Sequence, residues 1–190
     1  NAVEAYKLLD NPDALGIVLN YSNQNQEVLT KSKVELINQI SKSTKPNIPS
    51  VGFIGAGNYA SRILIPAFKE AGALLDTLVT SGGISGVHHG NKNQFVTAST
   101  NVKDLLSNDS INTVTIVTRH DMHAEQVIEA LKSGKNVFVE KPLALTLDEL
   151  DEIDKSYHQA NKSNAIIRLM VGFNRRYAPH VVKMKKLLES

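Results

Sequence analysis

The sequence predicts an α/β fold of the doubly wound kind, with a mostly parallel sheet covered by helices on both faces. Three observations predict it. Short, nearly continuous apolar runs alternate with helical patterns from about Ile48 to Gly172, as strands buried on both faces require. A glycine-rich turn, Gly55-Ala56-Gly57, joins the first run to the first helix. A charged pair and a proline, Glu140-Lys141-Pro142, close a later run, at the strand end where such folds bind ligands.

The elements follow in order. Val51–Ile54 is a strand that stops at glycine, and Ala60–Ala71 places Ile63, Leu64, Ala67 and Phe68 on one helical face. Leu74–Thr80 is the second strand, followed by a polar Gly/Ser stretch read as a loop, and Phe95-Val96 is a third short run. A small helix carrying Val102, Leu105 and Leu106 leads into the β-branched run Asn112–Thr118. His123–Leu131 is helical, and Gly134 supplies its stop signal. Lys135–Val139 is a strand. Thr146–Ala160 opens with a capping-box pattern, Thr146-Leu147-Asp148-Glu149. Ile166–Val171 completes a six-strand pattern.

The first residues read differently. Val3–Leu9 is a short helix and Gly16–Tyr21 a strand; a helix from about Glu27 to Ser41 and a linker over Ser43–Pro49 follow. This gives an N-terminal helix-strand-helix extension. The domain division is 1–45, 46–172 and 173–190, the last being the start of a second domain that is mostly missing.

Composition bounds the partners. At 42% hydrophobic and 21% charged the chain is an ordinary soluble globular sequence. A net charge of +2 without a basic block gives no nucleic-acid arm. No apolar run approaches the roughly 18 residues that cross a bilayer, so no membrane partner is expected. Cysteine is absent, which excludes disulfides and thiolate metal sites and suits the cytoplasm. The chain opens on Asn1 without a signal-peptide pattern and stops inside a helical pattern at Ser190. It therefore reads as a piece of a longer protein.

Gly55-Ala56-Gly57-Asn58-Tyr59-Ala60 carries the G-x-G-x-x-A pattern between strand and helix. Gly55 permits the tight turn, Gly57 lets backbone approach a pyrophosphate, and Ala60 allows close helix–strand packing. A helix start then favours the anion. This is the phosphate cradle of a Rossmann-type dinucleotide site, with Asn58 and Tyr59 inside it. The acid that would bind the adenosine ribose is missing, because no Asp or Glu lies between Asp76 and Asp104. Thr80, Ser81, His88, His89 and Lys92 offer donors instead. The cofactor is thus NAD(P), tilted towards NADP.

Taken in order and spacing, Gly55-Ala56-Gly57, then Ile116-Val117-Thr118 with His123, then Glu140-Lys141-Pro142, then Gly172-Phe173-Asn174-Arg175-Arg176-Tyr177 resemble the Gfo/Idh/MocA family of NAD(P)-dependent oxidoreductases. The resemblance covers about Ile48 to Ser190. It implies that Lys141 is the catalytic-site lysine touching substrate and nicotinamide, and that Glu140 contacts the nicotinamide-side ribose. It also implies that Thr118 and His123 line the cofactor cleft, with Arg119 among them, and that Asn174 and Arg176 begin the substrate side. The family's proline after the threonine is replaced by Arg119-His120. The resemblance further implies a sugar-like small-molecule substrate, and a second domain that supplies an acid/base pair and a homo-oligomer surface. A second likeness, of Ala2–Leu9 and Gly16–Tyr21 to the last helix and strand of a medium-chain alcohol dehydrogenase, points to a bi-domain oxidoreductase.

The implied activity is reversible hydride transfer between NAD(P) and a secondary alcohol of a sugar or sugar derivative, with this piece inactive alone. The alternative is a non-catalytic NAD(P)- or sugar-sensing module of the same fold, against which the intact Glu140-Lys141-Pro142 argues. Two histidine pairs, His88-His89 and His120-x-x-His123, lack the further ligands that a metal site needs, so no metal is expected.

Overall fold

The computed structural model describes residues 2–7, 17–18, 31–37, 48–162 and 166–189. Contacts divide the chain into two units, residues 1–31 and 32–190. In the first unit, α1 (Ala2–Lys7) forms where the sequence reading places a helix. Of the strand expected over 16–21, only Ile17 and Val18 are described, and they belong to no helix or strand.

The second unit is built on one sheet of seven strands: β1 (Lys33–Glu35), β2 (Ser50–Ile54), β3 (Leu74–Val79), β4 (Thr97–Ser99), β5 (Thr113–Ile116), β6 (Asn136–Val139) and β7 (Leu169–Val171). Their spatial order is β1-β4-β3-β2-β5-β6-β7. Every pairing is parallel except β1 with β4. The chain winds from β2 through β3 to β4, then crosses back to β5 and winds the other way. The reversal leaves a crevice beyond the carboxyl ends of β2 and β5.

Helices fill the crossovers. A π-helical turn (Ala60–Leu64) runs into α2 (Ile65–Glu70), with Pro66, which has no N–H to donate, in the first turn of α2. The others are α3 (Gly83–Asn93), α4 (Val102–Leu106), α5 (His123–Lys132), α6 (Leu147–Ala160) and α7 (Pro179–Leu188). The capping box is formed as expected: Thr146 Oγ1 accepts from Glu149 N–H, and Glu149 Oε2 accepts from Thr146 N–H. One face of the sheet packs Ile54, Val114, Ile116, Val137 and Val139 with Val127, Leu131 and Ile153 of α5 and α6. The other packs Val51, Phe53, Leu75 and Leu78 with Ile65, and Phe53, Phe68, Phe95 and Phe138 form an edge-to-face chain with centroids 5.3 to 5.8 Å apart.

Two expectations are corrected. The helix read over 27–41 is a strand at Lys33–Glu35; the alternation Lys33-Val34-Glu35-Leu36 suits an edge strand, and the open edge of β4 provides its ladder. The Gly/Ser stretch read as a loop contains helix α3, which carries His88, His89 and Lys92. Its Gly86 and Gly90 lie one turn apart on its packed face: a β-carbon on them would collide with Thr80 Oγ1, at 2.6 Å, and with Leu36 Cδ1. Among the described residues, no helix is long and apolar enough to cross a membrane.

Candidate dinucleotide and substrate cleft

The site lies at the carboxyl edge of the sheet. Gly55 leaves β2 with φ +104°, and a β-carbon there would stand 2.7 Å from Val117 O. Only glycine takes this backbone without strain so close to the end of β5. The chain then turns into helix at Asn58, a start that leaves its first N–H groups for an outside acceptor. A β-carbon on Gly57 would meet nothing within 4 Å, so the loop faces open space at that point.

That space is a cavity of about 430 Å³ lined by Gly57, Asn58, Tyr59, Ala60, Val117, Thr118, His120, His123, Glu140, Lys141 and Asn174. Three strand ends and the segment after β7 therefore meet in one place. A larger groove, about 790 Å³ and lined by Pro49, Phe68, Asn112, Asn136, Phe138 and Met170 among others, lies towards the opposite, amino edge, where doubly wound sheets do not place their ligands.

Within the cleft, Glu140 is the most constrained group. Its Oε2 accepts from Lys141 N–H at 3.2 Å, while Oε1 is buried with no partner and abuts Gly172, where a β-carbon would come within 2.6 Å. An ionised carboxylate only accepts, and no donor among the described residues reaches this oxygen. Lys141, exposed, stands next to it on the Lys141–Pro142 turn. Tyr59 Oη accepts from Asn174 Nδ2 at 3.1 Å, joining the glycine-rich loop to the segment after β7. Thr118 Oγ1 donates to Gln126 Oε1 at 2.7 Å.

The structure thus gathers most of the residues singled out from sequence. It does not gather all of them. Gly55 is not in the lining of the cavity, and Ser81, exposed past the end of β3, is not in it either. Arg119 points into solvent and pairs with Asp121 at 3.2 Å. Arg176 lies over Phe173 and Tyr177, 5.7 and 5.9 Å from their centroids, and its Nε donates to Phe173 O. Conversely, Val117 lines the cleft although sequence reasoning does not select it, and His120, for which the letters leave a solvated-loop or a cofactor-cleft role, lines it as well. Helix α3 also removes Lys92 from the ribose end: nine residues after Gly83, it stands roughly 13 Å along the axis.

The donor set fits a dinucleotide. The cleft offers a helix start beside an open glycine for a pyrophosphate, and the carboxylate residue Glu140 in its lining for a sugar hydroxyl.

Comparison with known proteins agrees. The model of the Gfo/Idh/MocA oxidoreductase family, NAD-binding Rossmann fold, matches residues 50–173. Oxidoreductase P35 of Formosa agariphila is 31% identical over 140 residues, covering 73% of this chain and 42% of that protein. The inositol 2-dehydrogenase/D-chiro-inositol 3-dehydrogenase of Lactiplantibacillus plantarum is 32% identical over 148 residues, covering 77% and 40%. A solved levoglucosan dehydrogenase, in complex with NADH and levoglucosan, superposes with TM-score 0.65 at 26% identity over 74% of this chain and 39% of that one. The chain thus spans about two-fifths of the length of these relatives. It belongs to the Gfo/Idh/MocA oxidoreductase family, with that family's NAD-binding Rossmann fold.

Proposed function

We propose that this chain is the cofactor-binding domain of an NAD(P)-dependent oxidoreductase acting on a secondary alcohol of a sugar or sugar derivative. One observation carries the reading: Glu140 and the neighbouring Lys141 line a single cavity together with Gly57 and Asn58. The relatives named for inositol and levoglucosan support the substrate class.

The residues take distinct tasks. Gly57, Asn58, Tyr59 and Ala60 hold the pyrophosphate on the helix start. Glu140 accepts from a ribose hydroxyl on the nicotinamide side and so fixes the ring's place. Lys141 donates a hydrogen bond to the substrate oxygen and orients it for hydride transfer. Asn174, tied to Tyr59, borders the substrate end. Thr118 and His123 form the wall behind. When bound, the nicotinamide accepts or supplies the hydride.

The missing carboxylate after β3 favours acceptance of NADP. Asp76 does not replace it, since its Oδ1 accepts from Thr77 Oγ1 and Asn108 Nδ2. In the same reading, residues 1–45 end a preceding dehydrogenase-like domain and 173–190 begin a substrate domain. The separate unit 1–31 supports an N-terminal piece of its own.

The test is a titration of the chain with NADH by nicotinamide fluorescence, in parallel with Glu140→Ala and Lys141→Met. The reading expects binding by the parent, at least tenfold weaker binding with Glu140→Ala, and a smaller loss with Lys141→Met, which removes only a contact to the nicotinamide. Equal affinity in parent and Glu140→Ala would remove Glu140 from the cofactor site.

A further inference from the structure

His123 lines the cleft, yet its residue is fully buried. Its ring Nδ1 lies 2.7 Å from Pro142 O, and Nε2 lies 3.2 Å from Thr118 O. Both partners are carbonyl oxygens and can only accept. The contact to Pro142 O is the shorter and so the stronger of the two, and an Nδ1–H donates across it.

The two carbonyls stand on different walls. Thr118 lies just beyond β5, and Pro142 follows Lys141 beyond β6. The ladder between these strands ends at the Ile116–Val139 pair, with one last bond from Glu140 N–H to Ile116 O at 3.0 Å. Past that rung the two chain ends have no shared ladder, and the imidazole spans them. Gln126, one turn along α5 from His123, also holds Thr118 through its hydroxyl.

We propose that His123 is a positioning residue that makes no direct contact with the dinucleotide. Through Nδ1–H to Pro142 O, it sets where Glu140 and Lys141 stand against the Thr118 wall. The consequence for cofactor binding rests on the oxidoreductase reading; the clasp itself does not.

Three variants test it, His123→Asn, His123→Gln and His123→Ala. The asparagine amide nitrogen stands about where Nδ1 does, and the longer glutamine places its nitrogen near Nε2. Hydrogen exchange of the segment 140–144 and NADH affinity are the two readouts, with circular dichroism checking the fold. The expected result is exchange at least tenfold faster and NADH binding at least tenfold weaker in the Gln and Ala variants, with Asn within threefold of the parent. Equal behaviour of Asn and Gln would overturn the proposal, since His123 would then only fill space. If His123→Ala fails to fold, the Asn and Gln pair still decides. If the parent binds no NADH, the oxidoreductase reading fails and the exchange pattern alone judges the clasp.

Discussion

Gly172 leaves room for the carboxylate of Glu140: a β-carbon built on it would stand 2.6 Å from Oε1 and 3.0 Å from Cδ. The far end of a glutamate can move, so Gly172→Ala displaces the carboxylate more than it damages the core. The expected stability loss is about 1–2 kcal/mol, including the crowding of Phe138 Cζ at 3.2 Å. NADH affinity falls at least tenfold. In a Glu140→Ala background the same change has little further effect on affinity. An undiminished effect there would show that Glu140 is not the group displaced.

Gly55 has a different task from its neighbour in the motif. Its φ is +104°, and a β-carbon on it would stand 2.7 Å from Val117 O. Gly55→Ala therefore combines an unfavourable left-handed backbone with a clash against main chain. The expected loss is on the order of 2–4 kcal/mol, read from the urea midpoint. Unchanged stability would contradict the close approach of β2 and β5 at their carboxyl ends.

Much of the fold is legible in the letters, and what is not has identifiable causes. Thr146 and Glu149 announce the start of α6, and Gly134, at φ +71°, ends α5 as expected. The parallel strands are readable because burial on both faces makes them continuously apolar. Helix α3 is hidden because Gly86 and Gly90 look like loop residues, and only their closeness to Thr80 and Leu36 explains them. Strand β1 is hidden because the partner that defines it, β4, lies far along the sequence at Thr97–Ser99. The cleft itself is mostly legible, since its residues sit at strand ends. For Arg176 the letters give a charge but not its place: the guanidinium lies over Phe173 and Tyr177.

His89, on α3, has its pKa held below the usual 6.5, first by burial and then by the nearby His88 and Lys92. The unfolded chain therefore takes up a proton more readily than the folded one as pH falls past 6.5. Stability from this group is full above about pH 6.5 and declines as pH drops towards the lowered folded value. Melting temperatures between about pH 7.5 and 5 should fall more steeply for the parent than for His89→Gln. Parallel curves would show that His89 contributes no such linkage.

Lys135 is buried, and its ammonium donates to Asn108 O and Ile111 O, each at 2.9 Å. Lys135→Met would leave two carbonyls without their donor, at about 1–3 kcal/mol each where buried. The expected loss is about 2–4 kcal/mol in chemical denaturation. NADH affinity should stay at the parental value, because Lys135 opens the segment leading into β6 at the amino edge, away from the cleft.

Dinucleotide stabilisation of the parent chain and of Gly57→Ala, measured by thermal shift with NADH, NADPH, NAD and NADP, decides whether this cleft is a cofactor site. A methyl on Gly57 meets no protein atom within 4 Å, so both chains should melt together without ligand. With millimolar dinucleotide the parent should gain stability as the ligand exceeds its Kd, and Gly57→Ala should gain little or none. A parent that no dinucleotide stabilises, or a Gly57→Ala chain that gains as much as the parent, would contradict the assignment of this cleft.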